Sequence, residues 1–215
     1  MSTLSFAQVE EAGLADWRLL YRALQTRYRT GDFAAGLALV TAIGAVAEEM
    51  DHHPDLDLRY GHLNIRLWSH DVRGVTGRDI RLARRITELA AQAGVRAAPE
   101  EVSVVEIGLD TPDSEAVRPF WSALLAMDSP VEQDELRDDA GDLPRVWFQR
   151  SGSEEPRQRF HLDVMVPVDR AEARIRAALE AGGRVVADDQ APSYVVLEDV
   201  EGNRACVCTA AEPAG

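Results

Sequence analysis

Four of the five histidines in this 215-residue chain (His52, His53, His62 and His70) fall within nineteen residues. They belong to a longer pattern: Glu48-x-x-x-His52-His53-Pro54, then Tyr60, His70 and Asp79. Imidazole titrates nearest to working pH, so such a cluster suits proton transfer or metal binding. The metal reading of this cluster is weak. Adjacent histidines diverge, and neither an H-E-x-x-H nor a C-x-x-C pattern is present.

Each residue also has a plainer reading. A cationic ring at His52 or His53 would interact with the C-terminal dipole of a preceding helix. Thr76-x-x-Asp79 is a capping-box pattern in its own right. His62 and His70 fit exposed strand or turn positions. Only convergence of the group in space would set these readings aside.

The elements that must position these residues can be read from local signals. Ser5 caps a short helix from Phe6 to about Ala12. Trp17 to Arg29 reads as one or two strands. Asp32 caps a helix from Phe33 to about Glu49, with Phe33, Leu37, Val40, Ile43 and Ala47 as its apolar stripe. Pro54 ends it. Leu58 to Trp68 reads as a strand, with Leu63, Ile65 and Leu67 on one side and Tyr60, His62, Asn64, Arg66 and Trp68 on the other. Thr76 caps a helix to about Ala93, with Ile80, Ala83, Ile86 and Leu89 inward and Gly94 as its stop. The expected first domain is αββαβα over residues 1–98, with helices on one face of an antiparallel sheet, in an α+β chain.

Composition divides the chain at the same place. Residues 1–98 carry 12 Arg and 12 acids; residues 99–215 carry 11 Arg and 25 acids, so the formal charge of −14 belongs to the second half. A basic nucleic-acid surface is excluded by that balance, and no nucleic-acid partner is expected. Every basic residue is Arg, which rules out lysine Schiff bases and a P-loop. The longest uncharged stretch, Phe33 to Ala47, is too short to cross a bilayer, so no membrane partner is expected. No signal peptide is visible, and the two cysteines, Cys206 and Cys208, sit too far apart along one strand for a comfortable disulfide. A reduced, cytoplasmic setting follows as the expectation.

The histidine pattern resembles the signature of the pterin-4a-carbinolamine dehydratase family. The flanks are similar too: Trp17, Gly31-Asp32-Phe33, Ala47-Glu48, and Ser69-His70-Asp71 followed by Gly74-Val75-Thr76-x-x-Asp79. The likeness covers about residues 4–95. It implies removal of water from 4a-hydroxytetrahydropterin to give quinonoid dihydropterin, with no metal or redox cofactor. It also implies that His52, His53 and His70 are the acid, base and ring-orienting groups. Glu48, Asp79 and Tyr60 become substrate-contacting or supporting groups. Ser69 stands where the family usually has Thr, and an aromatic found beside the histidines in some relatives is missing between Pro54 and Tyr60. The fold offers a helix face for self-association, so a homo-oligomer is expected. The alternatives are a non-catalytic pterin-binding or dimerisation module, or a main activity in the C-terminal half.

Residues 97–101 read as a linker. Beyond it, residues 101–211 show an approximate repeat of strand, helix, then two or three strands, with the acidic stretch Glu132 to Asp142 as a hairpin or loop. Phe160-His161-Leu162-Asp163 and Leu197-Glu198-Asp199-Val200-Glu201-Gly202-Asn203-Arg204 resemble the glyoxalase/bleomycin-resistance (vicinal oxygen chelate) superfamily, built from paired βαβββ units. The resemblance implies metal ligands on the first and last strands of each unit. Aligning the units pairs Glu106 with His161 and Trp147 with Cys206. Trp147 cannot ligate, so only two good donors, Glu106 and His161, are counted and no metal is expected. These four residues would instead line a small-molecule cleft.

Overall fold

The computed structural model describes residues 2–125, 127, 134–138, 143–151, 160–198 and 204–213. The chain divides into two compact units, the first mainly Met1–Val102 and the second mainly Ser103–Val166 and Arg170–Thr209.

In the first unit Ser5 caps helix α1 (Phe6–Glu11) through a full capping box with Gln8. Strands β1 (Arg18–Leu20) and β2 (Ala23–Arg29) form a hairpin, with Tyr21 in the left-handed region at its turn. Helix α2 (Phe33–Met50) starts at Asp32, whose side chain accepts from the Ala35 amide at 2.8 Å. Strands β3 (Asp55–Arg59) and β4 (His62–Leu67) are followed by helix α3 (Gly77–Gln92) and strand β5 (Arg96–Ala97). The sheet is antiparallel, in the order β1-β2-β4-β3, with β5 also on β2.

Three features differ from the sequence reading. The single strand expected over 58–68 is a hairpin, β3 and β4, turning at Tyr60-Gly61. The element order is therefore αββαββαβ rather than αββαβα. The linker expected at 97–101 is ordered instead. Ala97 pairs with Tyr28, Ala98 and Pro99 are buried, and Glu101 forms ion pairs with Arg27 and Arg29.

The third difference is the phase of α2. Its buried side is Gly36, Leu39, Ile43, Val46 and Ala47, whereas Phe33 and Leu37 are 48% and 51% exposed. A Cβ on Gly36 would lie 2.5 Å from Leu58 Cδ1, so the helix backbone lies close against that side chain there. In an alanine-rich helix that close approach, not the largest side chains, sets the rotation. Helix α3 is rotated slightly as well: Leu82 and Ala90 are fully buried, and Leu89 only partly. These helix faces pack on Leu24 and Tyr28 of β2 and Leu63, Ile65 and Leu67 of β4. Each such large apolar side chain contributes about 1.5–3 kcal/mol relative to exposure. Helix α2 has the length and mean hydropathy (1.5) of a membrane span, but its inner side is part of this core.

The second unit is built on one mixed sheet. Its elements are β6 (Val104–Thr111), α4 (Ser114–Leu125), β7 (Glu135–Leu136), β8 (Val146–Arg150), β9 (Phe160–Met165), α5 (Val168–Glu180), β10 (Arg184–Ala187), β11 (Tyr194–Glu198) and β12 (Arg204–Cys208). The sheet order is β10-β11-β12-β9-β6-β8-β7. The two repeat units meet where β6 runs antiparallel to β9. The second is a full βαβββ. In the first, part of the acidic stretch expected as a hairpin or loop, Glu135–Leu136, is strand paired to β8. Asp199 to Asn203, the most specific part of the glyoxalase-like motif, lies outside the described residues.

Alternation along these strands gives the sheet two unlike faces. Ile107, Leu109, Val146 and Phe148 pack with Val117 and Trp121 of α4. Val164, Val195, Leu197 and Val207 pack with Ala171, Ile175 and Ala178 of α5. Phe160 meets Trp121 edge to face, with ring centroids 5.5 Å apart. The residues between them, Glu106, Gly108, Trp147, His161, Asp163 and Cys206, stand on the opposite face.

Candidate active site

In the first unit, three chain segments meet at the open end of the β3–β4 hairpin. Helix α2 ends at Asp51, whose backbone is left-handed (φ 47°), and the His52 amide donates back to the Ala47 carbonyl at 3.1 Å. This turn brings His52 to the start of α3. There His52 Nε2 lies 2.7 Å from Asp79 Oδ1, with His52 only 7% exposed and Asp79 fully buried.

Asp79 has two tasks. Its Oδ2 accepts from the Thr76 amide (2.7 Å), the Ser69 hydroxyl (2.7 Å) and the Thr76 hydroxyl (3.2 Å). It is therefore the N3 residue of the α3 capping box and the acceptor for His52 at once. A buried carboxylate with this many donors is fully satisfied. An ionised carboxylate only accepts, so an ionised Asp79 requires the hydrogen on Nε2 of His52. The serine at position 69 keeps the hydroxyl that the network requires, and sequence reasoning did not give it a role.

The other two histidines are exposed and sit beside this dyad along the chain. His53 Nε2 is 3.0 Å from Glu48 Oε1. His70 follows Ser69 directly, and its ring lies 4.3 Å from that of Trp68. Trp68 is held by Arg66 over its face (4.8 Å) and by an indole N–H donated to Asp55 Oδ2 (3.3 Å). Because Asp55 pairs with Arg66, residues 52–53 and 68–70 leave the hairpin at the same end.

Tyr60 does not join them. It is 76% exposed at the hairpin turn, five residues along β3 from Asp55, so the structure places it at the opposite end from the histidines. His62 is at that end too. Burial and the nearby Arg27 and Arg29 cations hold its pKa below the usual value, in keeping with its omission from the motif.

On the polar face of the second unit, the four expected cleft residues take different partners. Glu106 stands across from Asp163, and both its oxygens are taken by Arg145 at 2.6 and 2.7 Å. Arg145 also pairs with Glu135, which pairs with Arg137. Burial raises the pKa of Glu135, but hydrogen bonds and charge from Arg145 and Arg137 outweigh it and leave the carboxyl below its ordinary range. Trp147 stands edge-on to His161, with ring centroids 5.3 Å apart, and offers no lone pair to a metal. The ligand set that the resemblance implies, drawn from both units, therefore does not fit.

Sequence reasoning missed Asp163 as a site residue. One donor atom each of His161, Asp163 and Cys206 lies within 4.8 Å of the others. The signal was available: His161 and Asp163 are two apart on a strand and so share a face. Cys206 and Cys208 are both free thiols. A hydrogen bond with Cys206, burial and the Asp163 and Glu106 carboxylates push the Cys208 thiol up, which keeps it protonated.

Comparison with known proteins agrees with the division of the chain. Residues 2–89 match the pterin 4 alpha carbinolamine dehydratase family, and residues 106–208 match a glyoxalase-like domain. A Chloroflexus aurantiacus protein named "Putative pterin-4-alpha-carbinolamine dehydratase" is 37% identical over 91 residues, 41% of this chain and 98% of its own length. One of the same name from Streptomyces coelicolor is 42% identical over 94 residues, 42% of this chain and 93% of its own. A solved structure described as a transcriptional coactivator/pterin dehydratase from Brucella melitensis matches with 28% identity and a TM-score of 0.40, covering 41% of this chain and 99% of that one. A glyoxalase/bleomycin resistance protein/dioxygenase superfamily member from Vibrio splendidus matches at 10% identity and a TM-score of 0.35, covering 50% and 99%. Through its first unit, with the His52–Asp79 network at the hairpin end, the chain belongs to the pterin 4 alpha carbinolamine dehydratase family.

Proposed function

We propose that the first domain dehydrates a 4a-hydroxytetrahydropterin to the quinonoid dihydropterin. The observation that carries this reading is the buried His52–Asp79 pair, with His53 and His70 exposed beside it. Dehydration of a carbinolamine needs a proton delivered to the departing hydroxyl and another removed from the pterin ring. Imidazoles supply both without a metal. Asp79 supports the reading by fixing which nitrogen of His52 carries hydrogen, as acid–base work demands. His53 and His70, on the open side, are proposed to meet the flat heterocycle, and Glu48 to orient His53. Tyr60 has no part in this proposal.

The test is an initial-rate measurement on the full chain with 4a-hydroxytetrahydropterin. Acceleration over buffer is expected, with a loss of about 10²–10⁴-fold in His52→Ala and in His70→Ala. Wild-type protein no faster than buffer would end the enzyme reading.

We also infer self-association through the outer side of α2. Phe33, Ala34, Leu37, Ala38 and Thr41 form an exposed, mostly apolar strip there, in contrast to the charged outer faces of ordinary surface helices. Light scattering should give a mass above one chain, reduced in Leu37→Glu. A monomeric wild-type protein would exclude this association.

A further inference from the structure

We propose that Trp68 is a positioning residue for the dehydration, holding the imidazole of His70 in one orientation at the site. The inference rests on the dehydration reading and deepens it, by giving the third histidine a partner of its own.

The three histidines differ in what holds them. His52 Nε2 meets Asp79 at 2.7 Å, and His53 Nε2 meets Glu48 at 3.0 Å. Among the described residues, the His70 ring makes no hydrogen bond or ion pair. Its contact is with the Trp68 ring, at 4.3 Å between centroids and an interplanar angle of 46°.

The backbone beside His70 is fixed, and its side chain is not. Ser69 is buried, and its hydroxyl donates to Asp79 Oδ2 at 2.7 Å. The Ser69 amide donates to the Gly74 carbonyl at 2.9 Å, and the Gly74 amide donates back at 3.4 Å. This bridge closes a tight loop, with Arg73 in the left-handed region (φ 53°), and sets where the His70 backbone stands. The imidazole itself is exposed. A free histidine side chain has three wells at its first torsion and a two-fold second torsion, so about six orientations compete unless a neighbour selects among them. A group that gives or takes a proton must lie within hydrogen-bond reach of the reacting atom, so unselected orientations dilute the rate.

Trp68 is rigid enough to make that selection. Its indole N–H donates to Asp55 Oδ2 at 3.3 Å, and the Arg66 guanidinium lies 4.8 Å from its ring centroid. Arg66 Nη1 is in turn 3.5 Å from the same Asp55 oxygen. Asp55 and Arg66 are register partners across the hairpin, so the indole is tied to both β3 and β4. Its ring therefore presents a fixed wall to a histidine whose backbone is also fixed. A Trp68 that only covered the sheet would be replaceable by any apolar side chain of similar bulk; a positioning Trp68 needs a flat ring.

The test compares full-length wild type, Trp68→Ala, Trp68→Phe and Trp68→Leu. Initial rates with 4a-hydroxytetrahydropterin give kcat and KM, and proton NMR follows the His70 Hε1 signal, assigned by its loss in His70→Gln. Trp68→Ala should lower kcat about 5–100-fold, from dilution among orientations at the low end to misplacement of a proton-transfer group at the high end, with KM unchanged. Trp68→Phe keeps a ring without the donation to Asp55 and should recover most of the lost kcat. Trp68→Leu should not, and it takes the place of Trp68→Ala should that variant fail to fold. The Hε1 signal should be displaced by the Trp68 ring current in wild type and move to the position of a free histidine in Trp68→Leu. Circular dichroism shows that each variant compared is folded. Full kcat in a folded Ala or Leu variant, a loss carried by KM alone, Leu restoring the rate as well as Phe, or a His70 signal that Trp68 does not displace would overturn the role of Trp68 and leave the dehydration standing. Wild-type protein no faster than buffer would end the dehydration reading and this role with it.

Discussion

Asp79 touches His52 with one carboxylate oxygen and the first turn of its own helix with the other. Oδ1 is 2.7 Å from His52 Nε2, and Oδ2 is 2.7 Å from the Thr76 amide. One side chain thus fixes the histidine that does the proposed chemistry and the helix that carries the site, so a capping role and a site role are not alternatives here.

Asp79→Asn should therefore damage both properties. If the asparagine carbonyl replaces Oδ2 at Thr76 and Ser69, its NH₂ faces His52 and forces the hydrogen from Nε2 to Nδ1. Activity should fall by about 10²-fold or more, as for a misassigned acid–base group. Stability should drop by about 1–2 kcal/mol from the weakened cap. Kinetics and a denaturant curve on the same variant check this; full activity would remove Asp79 from the mechanism.

The two adjacent histidines should separate by stability. His52→Ala leaves a buried carboxylate short of one donor, at a cost of about 1–3 kcal/mol. His53→Ala breaks only an exposed contact with Glu48, and its urea midpoint should match wild type. Equal destabilisation by the two variants would contradict the burial difference between them.

A fragment ending at Val102 should fold and melt higher than one ending at Ala98. The longer one keeps the buried Pro99 and Val102 and the Glu101 pairs with Arg27 and Arg29. The pairs alone, being partly exposed, contribute at most about 1 kcal/mol. Thermal melts of the two fragments compare them directly.

Glu135 predicts an acid limit for the second domain. Its carboxyl titrates below its ordinary value of 4.5 because Arg145 and Arg137 favour the charged form. The resulting stability is complete above 4.5 and is lost as pH falls through the lower folded value. Urea midpoints measured downward from pH 5 should decline for wild type and decline less for Glu135→Gln.

Local signals were legible in the sequence, and relative placement was not. The caps at Ser5, Asp32 and Thr76 stand where the residues indicate, because a cap needs only its own next three residues. The phase of α2 was hidden because it depends on Gly36 meeting Leu58 across the core. The β3–β4 turn did leave a mark. Apolar positions run through Leu56 and Leu58, then shift by one to Leu63, Ile65 and Leu67, and that break coincides with Gly61. The histidine set was legible as a pattern, yet its joint through Ser69 and Asp79 required three-dimensional contact. In the second domain, counting one donor per terminal strand overlooked Asp163, and no local signal tied Glu106 to Arg145.

Strand β9 carries two messages in alternate letters. Phe160 and Val164 address the helices; His161 and Asp163 address the other side of the sheet. Loss or gain of one residue inside the strand would swap the recipients, sending an imidazole and a carboxylate into the oily layer and aliphatic groups to Cys206. A change of two would restore the reading frame. For this strand, the smallest edit in length that keeps both packing and chemistry is therefore a pair.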